Sequence, residues 1–89
     1  MSSDLEITRK RLLWRATHRG IKEMDLVLGG FAVENLKHMP AVELEQFGVL
    51  LDISDQDLLA WLTNQEIVPQ HLASPMLDHI LAFRPETNE

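Results

Sequence analysis

Apolar residues in this sequence recur every three or four positions, in five segments set off by serine, glycine and proline. That spacing puts one apolar stripe on each of five helices. No stretch alternates apolar and polar residues long enough for a strand. The expectation is an all-α fold, a compact single-domain bundle of five helices. The domain is expected to take in residues 1–89, with an ordered core over about 4–84 and a polar tail over 85–89.

The punctuation predicts where each helix begins and ends. Ser3 or Asp4 caps a helix reaching His18, with Leu5, Leu12, Leu13 and Ala16 on its apolar side. Glu6, Arg9, Lys10, Arg11 and Arg15 fall on the other side. Gly20 follows, where a left-handed residue commonly ends a helix. A second helix starts near Ile21, with Glu23 and Asp25 at its positive end. Gly29-Gly30 predicts a bend or short break within it, because each glycine costs a helix about 1 kcal/mol relative to alanine. Pro40 opens a third helix carrying Leu44, Phe47, Val49, Leu50 and Leu51. Ser54 with Asp57 resembles a capping box and starts the fourth, with Leu58, Leu59, Trp61 and Leu62. Thr63 to Ala73 reads as irregular. Ser74-Pro75 starts the last helix, which ends near Phe83.

Composition narrows the function. The chain has 89 residues, 45% hydrophobic, which supports one modest core. A large internal substrate cavity is not expected. Fourteen acidic residues against eight basic ones give a net charge of −6. That balance disfavours nucleic-acid binding through phosphate neutralisation and a polybasic membrane anchor. The basic residues Arg9, Lys10, Arg11 and Arg15 form a cluster, but inside an acidic protein. No cysteine is present, which excludes disulfides, thiolate chemistry and cysteine-ligated metals. The start shows no secretory or transit pattern, and no apolar run reaches membrane-spanning length. These features predict a cytoplasmic protein with no membrane partner, and a monomer is expected.

Residues of catalytic type give no constellation. His18, His38, His71 and His79 lack the spacing of a shared metal face. The serines sit at the terminus or at cap positions, and none lies in a nucleophile elbow. Gly29-Gly30 lacks the spacing of a phosphate loop. Asp55, Asp57, Glu43 and Glu45 read as first-turn acids. No enzymatic activity is expected, and no metal.

The most unusual local feature is Arg19-Gly20-Ile21-Lys22-Glu23, followed by Met24-Asp25. The residues support two accounts. In one, Arg19, Gly20 and Glu23 merely finish one helix and start the next. In the other, glycine lets a partner backbone approach closely while Arg19 and Glu23 offer a donor fork and an acceptor.

At this motif the sequence resembles the succinate dehydrogenase flavinylation factors, also called FAD assembly factors. The likeness runs through Trp14, Arg19, Gly20, Glu23 and Asp25. It resumes at Phe47, Leu50, Leu51, Asp52, Asp55, Asp57, Leu58, Trp61 and Leu62. His18 departs from the pattern, standing where the family often has a second arginine. The resemblance implies a five-helix assembly chaperone that is no enzyme and binds no cofactor stably. It implies a partner, the flavoprotein subunit of succinate dehydrogenase, in some bacteria that of fumarate reductase, on which it promotes covalent FAD attachment. Arg19, Gly20 and Glu23 would lie against the flavoprotein with Asp25 nearby, and the acids Asp52 and Asp57 would extend the contact. Trp61 and Leu58 would hold helices together. A bacterial cytoplasmic member is expected. The alternative is an antitoxin-like or other small interaction module.

Overall fold

The computed structural model describes residues 3–84. The expected polar tail lies outside the described residues. Five helices follow in order: α1 (Ser3–Thr17), α2 (Lys22–Asn35), α3 (Ala41–Leu51), α4 (Asp55–Leu62) and α5 (Pro75–Ala82). Single 3-10 turns at Leu36–His38 and Gln70–Leu72 join α2 to α3 and α4 to α5. The described residues contain no strand.

α1 packs mainly on α2 and also on α3; α2 reaches α4 and α5 as well, and so lies at the centre. Phe31 of α2 is the hub. Its ring centroid is 5.9 Å from that of Phe47 on α3 and 5.9 Å from that of Phe83 beyond α5, the latter pair edge-on. Such aromatic pairs add to the stabilisation from area burial. Leu12 and Ala16 of α1 are also buried, with Met24, Leu28, Leu44, Leu58, Trp61, Leu77 and Ile80 among the other core residues. Leu58 and Trp61 thus do the packing expected of them. Leu5 and Val49 do not: both are exposed, Leu5 near the start of α1 and Val49 on the face of α3 opposite Leu44, Phe47 and Leu51.

The caps of α4 and α5 follow the sequence. Ser54 Oγ accepts the Asp57 N–H at 3.1 Å, and Ser74 Oγ accepts the Leu77 N–H at 3.1 Å. Each relieves one orphan donor of its helix. Pro40 is the N-cap of α3 rather than its first residue.

Two glycine expectations are overturned. No glycine among the described residues has a positive φ, so Gly20 is not a left-handed stop. α1 ends on side chains instead. Thr17 Oγ1 donates to the Leu13 carbonyl at 2.9 Å, and His18 Nδ1 lies 2.8 Å from the Trp14 carbonyl. A carbonyl only accepts, so that ring nitrogen carries a proton. The left-handed cap belongs to α4 and uses Asn64, at φ 63°. There the Gln65 N–H reaches the Ala60 carbonyl at 2.8 Å and the Asn64 N–H reaches that of Trp61 at 3.2 Å, the two bonds of a Schellman ending.

Nor does α2 break at Gly29-Gly30. Gly29 is buried against the end of α1, and a β-carbon there would sit 3.0 Å from Thr17 Cγ2. The missing side chain lets the two helices approach, and that packing outweighs the helix-propensity cost. A branched residue should therefore overpack the contact. Gly29→Val is expected to lower stability by about 1–3 kcal/mol in urea unfolding, despite valine's better helix propensity.

Candidate functional site

The corner between α1 and α2, residues 18–21, is fixed from both sides. Asp25, one turn into α2, accepts the backbone N–H of Arg19 at 2.5 Å, which folds the chain back on itself. The Arg19 side chain then runs across the molecule to the corner between α3 and α4. Its Nε donates to Asp55 Oδ1 at 2.7 Å, Nη1 to the Leu51 carbonyl at 2.8 Å and Nη2 to the Ile53 carbonyl at 2.9 Å. The other Asp55 oxygen accepts the Gly20 N–H at 2.9 Å. One carboxylate thus bridges the side chain of one residue and the backbone of the next.

The chemistry of this clamp is consistent throughout. The guanidinium meets the Leu51 carbonyl at the negative end of α3 and the acid that opens α4. Both partners are largely withdrawn from water, with side-chain exposures of 11% for Arg19 and 17% for Asp55. Charge-assisted bonds at such a site are stronger than neutral ones. A parallel link, Arg15 to Asp52 at 2.6 Å, lies out in solvent, where Asp52 is 73% exposed. A pair like that contributes little, about 0–1 kcal/mol.

Arg19, expected as a donor fork toward a partner, turns its guanidinium inward. Its side chain is bonded internally to Asp55, Leu51 and Ile53, so it sets the shape of the corner. The remaining candidates are placed as follows. Gly20 is exposed. Glu23 is exposed on the first turn of α2. Asp25 is half-buried and accepts the Arg19 amide. Asp52, paired with Arg15, sits between the two carbonyls that hold Arg19. Asp57 is exposed on the first turn of α4. Asp55 is the residue the first-turn reading missed: it bonds Arg19 and Gly20 instead of standing in water. Its only sequence signal is its place in the second motif block.

Gly20 has an unusual status. A β-carbon there would lie 3.6 Å from Asp55 Oδ2, an ordinary contact, and the backbone is not left-handed. Folding therefore does not demand glycine at this exposed position.

Elsewhere, an apolar groove of about 440 Å³ runs between α3 and α5, past Val49, Leu50, Ile53, Leu72 and Met76. His71 is its only titratable lining residue. No group of three or more histidines and carboxylates among the described residues is placed to hold a metal ion. No described helix is long and apolar enough to cross a membrane.

The two motif blocks of the sequence are thus the two halves of one clamp, and the comparisons with known proteins extend over both. Residues 10–84 match the model of the family described as flavinator of succinate dehydrogenase. The chain belongs to this family. Its curated relatives include the FAD assembly factor SdhE of Acetobacter pasteurianus, 39% identical over 83% of this chain and 68% of that protein. The mitochondrial succinate dehydrogenase assembly factor 2 of Dictyostelium discoideum is 33% identical over 84% of this chain and 53% of its own length. That of Schizosaccharomyces japonicus is 38% identical over 74% and 46%. The chain spans about half the length of these mitochondrial relatives.

The clamp should be visible in stability. Arg19→Ala and Asp55→Ala are each expected to cost about 2–4 kcal/mol in urea unfolding, since each strands a largely buried charge. The double variant should lose clearly less than the sum. Arg19→Lys should recover little, because an ammonium cannot span a carboxylate and two separate carbonyls.

Proposed function

We propose that this chain is an assembly factor that docks on the flavoprotein subunit of succinate dehydrogenase and promotes covalent attachment of FAD to it. What carries the reading is an exposed glycine that folding does not require, in a rigidly held corner, in a chain of the flavinator family. Gly20 offers a partner close backbone approach, and Glu23 beside it offers an acceptor. Asp25 and the clamp hold these groups in place, while the exposed Asp52 and Asp57 extend the acidic edge. The corner is pre-organised, so docking does not have to order it.

The chain works without chemistry of its own. The bond between a flavoprotein histidine and the flavin methyl carbon forms within the flavoprotein. Holding these two groups in contact geometry can contribute several kcal/mol to such a step, of the about 7–11 kcal/mol that positioning can supply. The assembly factor shifts the flavoprotein toward that geometry by the difference in its affinity for the two conformers. An interface of about 800 Å² per partner suffices. FAD belongs to the flavoprotein, and this chain holds no cofactor stably. It acts as a monomer in the bacterial cytoplasm, and the fumarate reductase flavoprotein is a second client of the same surface.

Co-expression with the flavoprotein tests this through in-gel flavin fluorescence of the denatured subunit. Wild type should raise the covalent flavin signal several-fold over the flavoprotein alone. Gly20→Ala should keep most of that gain, and Gly20→Arg should abolish it while circular dichroism shows an unchanged helical fold. Equal flavin with and without the chain would refute the assignment. Unfolding by Gly20→Arg would remove the support that Gly20 gives it.

A further inference from the structure

The outward side of α1 carries an apolar and basic stripe that the bundle does not use. Ile7, Arg11, Trp14 and His18 follow one another at intervals of four, three and four residues, so they share a helix face. All four are exposed. Trp14 is 62% exposed and Ile7 52%, whereas the other tryptophan, Trp61, is buried. The Trp14 indole is not free to wander. It stacks on the His18 ring with centroids 4.1 Å apart and planes within 11°, and the His18 ring is itself tied to the Trp14 carbonyl. A large aromatic held rigid in water loses little freedom on binding and is the kind of residue on which interfaces concentrate their energy. His18 stands two residues before Gly20, so the stack abuts the clamped corner.

Charge adds a direction. All of the lysines and arginines except Arg84 lie between Arg9 and Lys37, while the rest of the chain is acidic. Arg9, Arg15 and Arg19 among them are bonded internally, which leaves the exposed Lys10, Arg11, Lys22 and Lys37 to meet a negative surface.

We infer that the Ile7–Arg11–Trp14–His18 face is a second docking contact for the flavoprotein partner, fitted to an apolar pocket rimmed by carboxylates. The inference rests on the proposed function and extends its contact from the glycine corner along α1. The Trp14–His18 stack fills the pocket, and Arg11 pairs with the rim. A membrane of anionic lipid is the competing occupant of such a stripe, and continuity with the glycine corner favours the protein.

The test uses the full chain and purified flavoprotein, with binding measured by calorimetry at two salt concentrations. Trp14→Ala should weaken binding at least tenfold with an unchanged thermal midpoint, because the indole is mostly exposed and stacks on the exposed His18 ring. Arg11→Glu should weaken binding at low salt and flatten its salt dependence. Wild-type binding matched within twofold by Trp14→Ala would overturn the inference and leave the proposed function standing. No binding by wild type would overturn both. Binding of phosphatidylglycerol vesicles that Trp14→Ala abolishes, with flavoprotein binding unmoved, would assign the stripe to lipid and overturn the inference.

Discussion

A single carboxylate organises the surface of this domain. Asp55 takes the Arg19 guanidinium with one oxygen and the Gly20 amide with the other, so two corners far apart in sequence become one rigid unit. Without that tie the α1–α2 connection would be a short loop with a glycine in it. With it, the glycine backbone is presented at a fixed place beside Glu23. The strength of the tie comes from partial burial and from the additional bonds of the same guanidinium to the Leu51 and Ile53 carbonyls.

The glycines divide two kinds of work. Gly29 is there for the fold: a β-carbon would press on Thr17 at the end of α1. Gly20 has no such internal reason. It is open, its backbone suits any residue, and a β-carbon would find ordinary space. The glycine at this position is therefore not explained by the packing of the domain itself.

Much of the architecture was legible in the sequence because local rules set it. The apolar spacing gave the five helices, and Ser54 and Ser74 cap α4 and α5 as their positions imply. Most of the failures originate in tertiary contacts, and the one at Gly20 in local side-chain caps. Gly29-Gly30 reads as a break until α1 is packed against it. Gly20 reads as a left-handed stop, yet Thr17, His18 and Asp25 end the helix and turn the chain. Arg9 reads as a solvated cation but donates to the Leu36 and Met39 carbonyls at 3.0 and 2.8 Å, closing the end of the α2 segment. The candidate site was half legible. The motif located the corner, but the internal engagement of Arg19 depends on Asp55, 36 residues away, which no local pattern reveals.

The account is tested most directly by hydrogen exchange of this chain with and without the flavoprotein subunit. It predicts slowed exchange in peptides covering residues 18–25, with the α3–α5 groove around Val49 and Leu72 unchanged. Protection confined to that groove, with the clamped corner exchanging as in the free chain, would contradict it.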